Sequence, residues 1–206
     1  EIDKTTINVE SDWSSVSYFY SIVALSNKSE LSIGRFYNSS IQGDKELSKI
    51  YLKFGVETEF LDAHGRIVLK KIKDFVLPNK VSIDLTKHPA IAQTIAVTCF
   101  GLGISCDLFG LHTLKIKETD RLLALKIELE KLGAEIEITN NSIHLSCCSK
   151  INENISIDTY NDHRMAMAFA PLAILVPLKI NNPDVVSKSY KNFWSDLKAI
   201  NFNISG

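Results

Sequence analysis

The chain has 206 residues, 45 % of them hydrophobic and 23 % charged, with a net charge of −1. That length allows one large domain or two small ones, in an ordinary globular balance. The near-neutral charge argues against a general polyanion binder, and no stretch reaches the roughly 18 apolar residues a membrane span needs, so neither nucleic acid nor membrane is an expected partner.

In chain order, residues 5–9 read as a strand and 11–25 as a helix with Ser11 or Asp12 as its cap. Residues 30–36 form a strand and 44–54 a helix stopped by Gly55. Residues 56–61 and 66–70 are strands on either side of the turn Asp62-Ala63-His64-Gly65. The pattern then recurs: strand 81–85, helix 90–101, strand 104–110, helix 118–132 stopped by Gly133. A hairpin of 134–139 and 142–147 crosses Asn140-Asn141. A shorter third pass has strand 155–159, helix 162–176 kinked or cut by Pro171, strand 178–181, helix 190–200 and strand 202–205.

The joints match. Lys53-Phe54-Gly55-Val56-Glu57 parallels Lys131-Leu132-Gly133-Ala134-Glu135, and Lys198-Ala199-Ile200-Asn201-Phe202 is a weaker third copy with Asn201 in the glycine's place. The expected architecture is α+β: three βαβαββ repeats at about 5–72, 81–148 and 155–206. The first helix of each repeat is apolar on most sides, which places these helices together at a buried centre. Trp13, Tyr18, Phe19 and Tyr20 belong to that core. Cys99, Cys106, Cys147 and Cys148 lack metal-ligand spacing and read as free thiols of a reducing cytoplasm, the last two in a strand. The chain starts at Glu1 with no visible signal peptide, which suggests a piece of a longer protein.

Unusual residues gather where strands hand over to helices. Lys115-Ile116-Lys117-Glu118-Thr119-Asp120-Arg121 runs into Leu122, Leu125, Leu129 and Leu132, one face of an amphipathic helix. Arg121 falls in the first turn, against the helix dipole. Two readings stand: a solvated, charged helix start, or an anion nest in which backbone N–H groups and cations meet one ligand. Tyr160-Asn161-Asp162-His163-Arg164 repeats the arrangement, and Ser187-Lys188-Ser189-Tyr190 adds a lysine at a sixth joint. Taken singly, His163, Arg164 and Lys188 have structural readings. Taken together, Arg121, Arg164 and Lys188 suggest one cationic pocket for a small, multiply charged anion. The five histidines show no paired metal spacing, and neither a glycine-rich phosphate loop nor a defensible Ser-His-Asp set appears.

Lys117-Glu118-Thr119-Asp120-Arg121-Leu122 and Tyr160-Asn161-Asp162-His163-Arg164-Met165-Ala166-Met167 resemble the enolpyruvyl-shikimate-phosphate synthase family. Glu10-Ser11-Asp12-Trp13-Ser14-Ser15, Asn38-Ser39 with Gln42-Gly43-Asp44, and Lys188-Ser189-Tyr190 also match. The resemblance implies the C-terminal domain of a two-domain enzyme of inside-out barrel type, its N-terminal domain absent from this sequence. It implies transfer of the carboxyvinyl group of phosphoenolpyruvate to the 5-hydroxyl of shikimate 3-phosphate, without metal or cofactor. By the same resemblance, Arg121, Arg164 and Lys188 contact phosphoenolpyruvate. Glu118 moves the proton at its methylene. Lys117 helps in proton transfer and, with Thr113, contacts shikimate 3-phosphate; His163 and Asp120 shape the site. The family's aspartate at the third joint falls on Ala90, after Pro89. Alanine cannot serve as acid, base or acceptor, and Asp84 is the nearest substitute. A non-catalytic anion-binding domain of the same fold is the alternative.

Overall fold

The computed structural model describes residues 9–147 and 149–205. All of the strand expected at 5–9 except Val9 lies outside the described residues, as does Cys148.

The first helix, α1 (Trp13–Leu25), starts where Asp12 accepts hydrogen bonds from the N–H groups of Ser14 and Ser15, and all of its residues except Ser15 are buried. It leads to β1 (Glu30–Gly34). The helix expected over 44–54 is broken into a 3-10 turn (Gly43–Glu46), a single α turn, α2 (Leu47–Ile50), and a second 3-10 turn (Tyr51–Phe54). Its start lacks a side-chain cap because Gln42 is committed elsewhere. Gln42 Oε1 accepts the Trp13 N–H at 2.9 Å and its amide donates to Ser11 O at 2.9 Å, so it braces α1 instead.

Strands β2 (Val56–Leu61) and β3 (Arg66–Lys71) form an antiparallel pair closed by Gly65 at φ 57°, where a Cβ would stand 2.6 Å from the Tyr37 hydroxyl. Next come β4 (Lys80–Asp84), a 3-10 turn (Pro89–Ile91), α3 (Ala92–Leu102), β5 (Ser105–Phe109), a 3-10 segment (His112–Ile116) and α4 (Arg121–Lys131). The hairpin is β6 (Ile136–Ile138) and β7 (Ser142–Leu145), shorter than expected. Cys147 lies beyond it, exposed, with its thiol 2.8 Å from Gly103 O.

The last third holds β8 (Ile155–Ile157), α5 (His163–Phe169), β9 (Leu178–Ile180) and α6 (Phe193–Ala199). The helix expected to run to 176 leaves α geometry after Phe169 and continues as a 3-10 segment (Ala170–Ile174) carrying Pro171, which has no N–H for an α bond. Another 3-10 segment (Pro183–Lys188) precedes α6, so Lys188 ends a turn rather than starting a helix. Residues 202–205 form no strand; Phe202 and Ile204 pack on the core outside any ladder. At the three matched joints, Gly55, Gly133 and Asn201 have φ of 75°, 100° and 70°. Asparagine tolerates the left-handed stop that glycine makes twice.

One sheet has the order β1-β3-β2, all antiparallel. The second is β4-β5-β7-β6, with β4 and β5 parallel and the other pairs antiparallel. The third is the parallel pair β8-β9. At the centre α1 packs on α3, and α3 on α5. Their interface is not purely apolar. Ser17 Oγ lies 3.0 Å from Thr94 Oγ1, and Thr98 Oγ1 is within 2.7 Å of Thr94 O, 2.8 Å of Ser21 Oγ and 2.9 Å of Tyr51 Oη.

Thr98→Val is isosteric but strands the buried Ser21 and Tyr51 hydroxyls. It is expected to destabilise the fold by about 1–3 kcal/mol, read as a lowered urea midpoint at unchanged m-value.

Candidate active site

Helix α4 begins at Arg121, three residues later than the periodicity suggests, because Asp120 sits in extended geometry and caps it, accepting the Leu123 N–H at 3.1 Å. Lys117 and Glu118 therefore stand on the approach to the helix, both exposed. Arg121 is 3 % exposed. A buried guanidinium in a first turn opposes the dipole and needs compensation. Two carboxylates supply it. Arg121 Nε donates to Asp162 Oδ2 at 2.6 Å and Nη2 to Asp162 Oδ1 at 3.3 Å, while Nη2 also donates to Glu118 Oε2 at 2.6 Å. All three are charge-assisted, the two at 2.6 Å are short, and the two to Asp162 form a fork.

Asp162 is fully buried and does double service. Its Oδ1 also accepts the Arg164 N–H at 2.8 Å, capping α5. The turn before it holds Tyr160 and Asn161 at φ of 52° and 58°, two successive non-glycine residues in left-handed backbone. All of α5 is buried except Arg164. The Arg164 guanidinium reaches the third joint, where Nη1 donates to Ala90 O at 3.0 Å. Lys188 Nζ donates to Asn161 O at 2.9 Å, so the same turn holds it.

His163 is 9 % exposed, and its Nδ1, without a hydrogen-bond partner among the described residues, lies 3.8 Å from both Glu118 Oε1 and Asp162 Oδ1. Burial holds its pKa below the ordinary 6.5, against the pull of Asp162, so the ring is neutral at pH 7. With Lys115 and Lys117, the neighbourhood carries five cations against the three carboxylates Glu118, Asp120 and Asp162, a surplus suited to an anion. The ligand atoms of Glu118, Asp162 and His163 lie within 4.8 Å of one another, a spacing that would suit a metal ion. The Arg121 guanidinium already bridges the two carboxylates and supplies the charge that an ion would bring.

Arg121 and Glu118 therefore meet in direct contact, with the His163 ring 3.8 Å from Glu118. Arg164 and Lys188 join them through Asp162 and Asn161. Asp120 acts as the α4 cap, with Lys115 Nζ 3.9 Å from its Oδ2. Thr113 lies in the 3-10 segment before the site, its hydroxyl buried and without a hydrogen-bond partner among the described residues. Ala90 offers a carbonyl where the resemblance expects a carboxylate. Asp84 is committed to its own turn: its Oδ1 accepts the Thr86 N–H at 2.8 Å and hydroxyl at 2.6 Å, and the hydroxyl bond is the main reason its pKa lies below the usual carboxylate value.

In sequence, Asp162 reads as a helix cap, in competition with Asn161, or as an ion-pair partner for Arg164. Its pairing with Arg121 spans 41 residues, and no local signal carries it. A Ser-His-Asp row does exist: His144 bonds Ser142 Oγ through Nε2 and Asp107 Oδ1 through Nδ1, both at 2.8 Å. Strand alternation puts Ser142 and His144 on one face of β7, and register sets Asp107 opposite His144. Ser142 is 5 % exposed and its hydroxyl also meets Thr139 at 2.6 Å, so no nucleophile is presented.

The sequence profile of the EPSP synthase (3-phosphoshikimate 1-carboxyvinyltransferase) family matches residues 1–197. A 3-phosphoshikimate 1-carboxyvinyltransferase of Bacteroides fragilis is 41 % identical over 199 residues, covering 95 % of this chain and 48 % of the relative. One of Shewanella loihica is 33 % identical over 201 residues, covering 95 % and 44 %. The chain spans about half the length of the curated relatives it matches. Among solved structures, an EPSP synthase of Acinetobacter baumannii aligns with a TM-score of 0.73 at 18 % identity, over 93 % of this chain and 46 % of the other. The enolpyruvyl transferase NikO from Streptomyces tendae aligns at 0.68 and 14 %, over 97 % and 45 %. At such identities the two structures establish a shared fold of mixed helices and sheets.

Two outcomes are expected from this geometry. Asp162→Ala leaves Arg121 buried without its main partner and uncaps α5, and should cost about 3–5 kcal/mol in urea unfolding. His163 binds its proton more weakly when folded than when unfolded, so the unfolded state holds more protons as pH falls through 6.5. Stability should decline over that window, and His163→Gln should flatten the decline in unfolding free energies measured from about pH 5 to 8.

Proposed function

The chain belongs to the EPSP synthase (3-phosphoshikimate 1-carboxyvinyltransferase) family, and on that premise we propose that it is the C-terminal domain of an enzyme moving the carboxyvinyl group of phosphoenolpyruvate to the 5-hydroxyl of shikimate 3-phosphate, with release of phosphate. The N-terminal domain, in the rest of the protein, supplies the opposite wall of the site, and the enzyme works in the cytoplasm. The architecture we assign is three βαβαββ repeats around buried parallel helices, an inside-out barrel. The recurrence of the β1-β3-β2 order in β5-β7-β6, and the parallel pairs β4-β5 and β8-β9, support that reading.

The observation that carries the proposal is the Arg121 contact with Asp162 and Glu118, which joins the two charged motifs in one place. Arg121, Arg164 and Lys188 take the phosphate and carboxylate of phosphoenolpyruvate. Glu118 gives a proton to the methylene carbon, leaving C2 electron-poor. The 5-hydroxyl oxygen of shikimate 3-phosphate attacks C2, and its proton passes to an oxygen of the phosphate that leaves in the next step. The tetrahedral adduct then expels phosphate from C2 as the new methyl group returns a proton to Glu118. Lys117 and the Thr113 hydroxyl hold shikimate 3-phosphate, and Lys117 eases the proton transfer. Neutral His163 and capping Asp120 keep Glu118 and Arg121 in place. The second reading, an anion-binding domain without turnover, is favoured by Ala90, which offers the hydroxyl proton no base.

Phosphate release and phosphoenolpyruvate calorimetry in the full-length protein separate these readings. Glu118→Gln should keep binding while turnover falls about 10²–10⁴-fold. Arg164→Ala, at a partly exposed position, and Arg121→Lys, which loses the fork, should weaken binding about tenfold or more. Ala90→Asp should raise turnover. Binding with no turnover, even after Ala90→Asp, would leave the anion-binding reading in place; absence of binding would sink both.

A further inference from the structure

Glu128 lies in the middle of α4, between the core leucines Leu125 and Leu129, and has no solvent exposure. A leucine there would avoid the desolvation cost of a buried carboxylate. Glu128 instead accepts bonds from three directions. Lys131 Nζ stands 2.9 and 2.8 Å from its two oxygens, the Tyr160 hydroxyl donates to Oε1 at 2.6 Å, and the Asp158 N–H donates to Oε2 at 3.1 Å. Lys131 also meets Asp158 Oδ2 at 2.9 Å, and Asn181 donates to Asp158 Oδ1 at 2.7 Å.

All of these bonds act on one short segment. Just beyond Asp158 the chain takes its two left-handed residues, Tyr160 and Asn161. A tyrosine in that conformation persists only when its surroundings over-determine it. The next residue is Asp162, which grips Arg121 and caps α5, while the Asn161 carbonyl holds Lys188. The strained pair thus stands between the Glu128 carboxylate on one side and the cations of the site on the other.

We propose that Glu128, Lys131 and Tyr160 form a clamp that fixes the turn of residues 158–162, making Glu128 a positioning residue for the anion site through Asp162 and Arg121. This rests on the function proposed above and deepens it. Without the clamp, the turn relaxes toward ordinary backbone, Asp162 shifts, and Arg121 loses the orientation in which it meets an anion.

The test uses the full-length protein that contains this chain. Tyr160→Phe deletes one hydroxyl and keeps the ring, leaving Glu128 its bonds from Lys131 and the Asp158 N–H. Tyr20→Phe is the control: it deletes a comparable 2.7 Å contact, with Thr58, away from the turn. Amide exchange at Arg164, whose N–H bonds Asp162, should accelerate about tenfold in Tyr160→Phe, and the Kd for phosphoenolpyruvate should rise about tenfold. Tyr20→Phe should change neither. Glu128→Gln should act in the same direction, and the double variant should fall short of additivity, since both substitutions loosen one turn. Unchanged Arg164 exchange in Tyr160→Phe, an equal effect of Tyr20→Phe, or strict additivity would overturn the clamp. Exchange is read without ligand, so if the unaltered protein fails to bind phosphoenolpyruvate, the proposed function falls while the clamp is still decided.

Discussion

The buried pair of Arg121 and Asp162 is the constraint around which the site is arranged. Removing two charges from water costs several kcal/mol per ion before any attraction is counted. Here the cost is offset by a fork of two hydrogen bonds, by Glu118 on the remaining edge of the guanidinium, and by the Arg164 N–H on Asp162. One carboxylate thereby ties the start of α4 to the start of α5. Neither helix end can shift alone without leaving a buried charge uncompensated. The turn of residues 158–162 inherits that rigidity, and through it so do Arg164 and Lys188.

Much of the fold was legible from periodicity. The apolar face of α4, the all-round burial of α1 and the left-handed stops at Gly55 and Gly133 follow from side-chain spacing and from glycine's freedom, and Asn201 keeps the same stop without a glycine. The misreadings differ in cause, one being set by a distant partner and the others by local geometry. Residues 44–54 carry a helical stripe, yet the side chain that might cap them braces α1. The charged run before α4 looked helical from Glu118, yet Asp120 caps the helix and keeps Glu118 off it. Lys188 was expected at a helix start and ends a 3-10 turn instead.

The site itself was half legible. Arginines placed against a helix dipole at two equivalent joints are an anomaly that spacing reveals, because the arrangement is unfavourable unless an anion or a buried carboxylate answers it. Which of these answers it was not readable. Asp162 looks like any N-cap in sequence, and Glu128 like any polar residue on an amphipathic helix. Their burial and their partners 41 and 32 residues away are properties of the folded chain. The same holds for Ser142, His144 and Asp107, whose row of hydrogen bonds exists only because of strand register.

The two carboxylates on Arg121 are not equivalent, and that difference bears on the proposed chemistry. The Asp162 side chain has no exposure, whereas that of Glu118 is 34 % exposed. An anion approaching from solvent meets the Glu118 edge of the guanidinium first and competes for Nη2. Displacing Asp162 would strand a buried charge and uncap α5; displacing Glu118 returns a carboxylate to water at little cost. Glu118 is therefore the partner that yields. An anion that reaches Arg121 thus enters by exchange with Glu118, with Asp162 as the fixed point against which the exchange takes place.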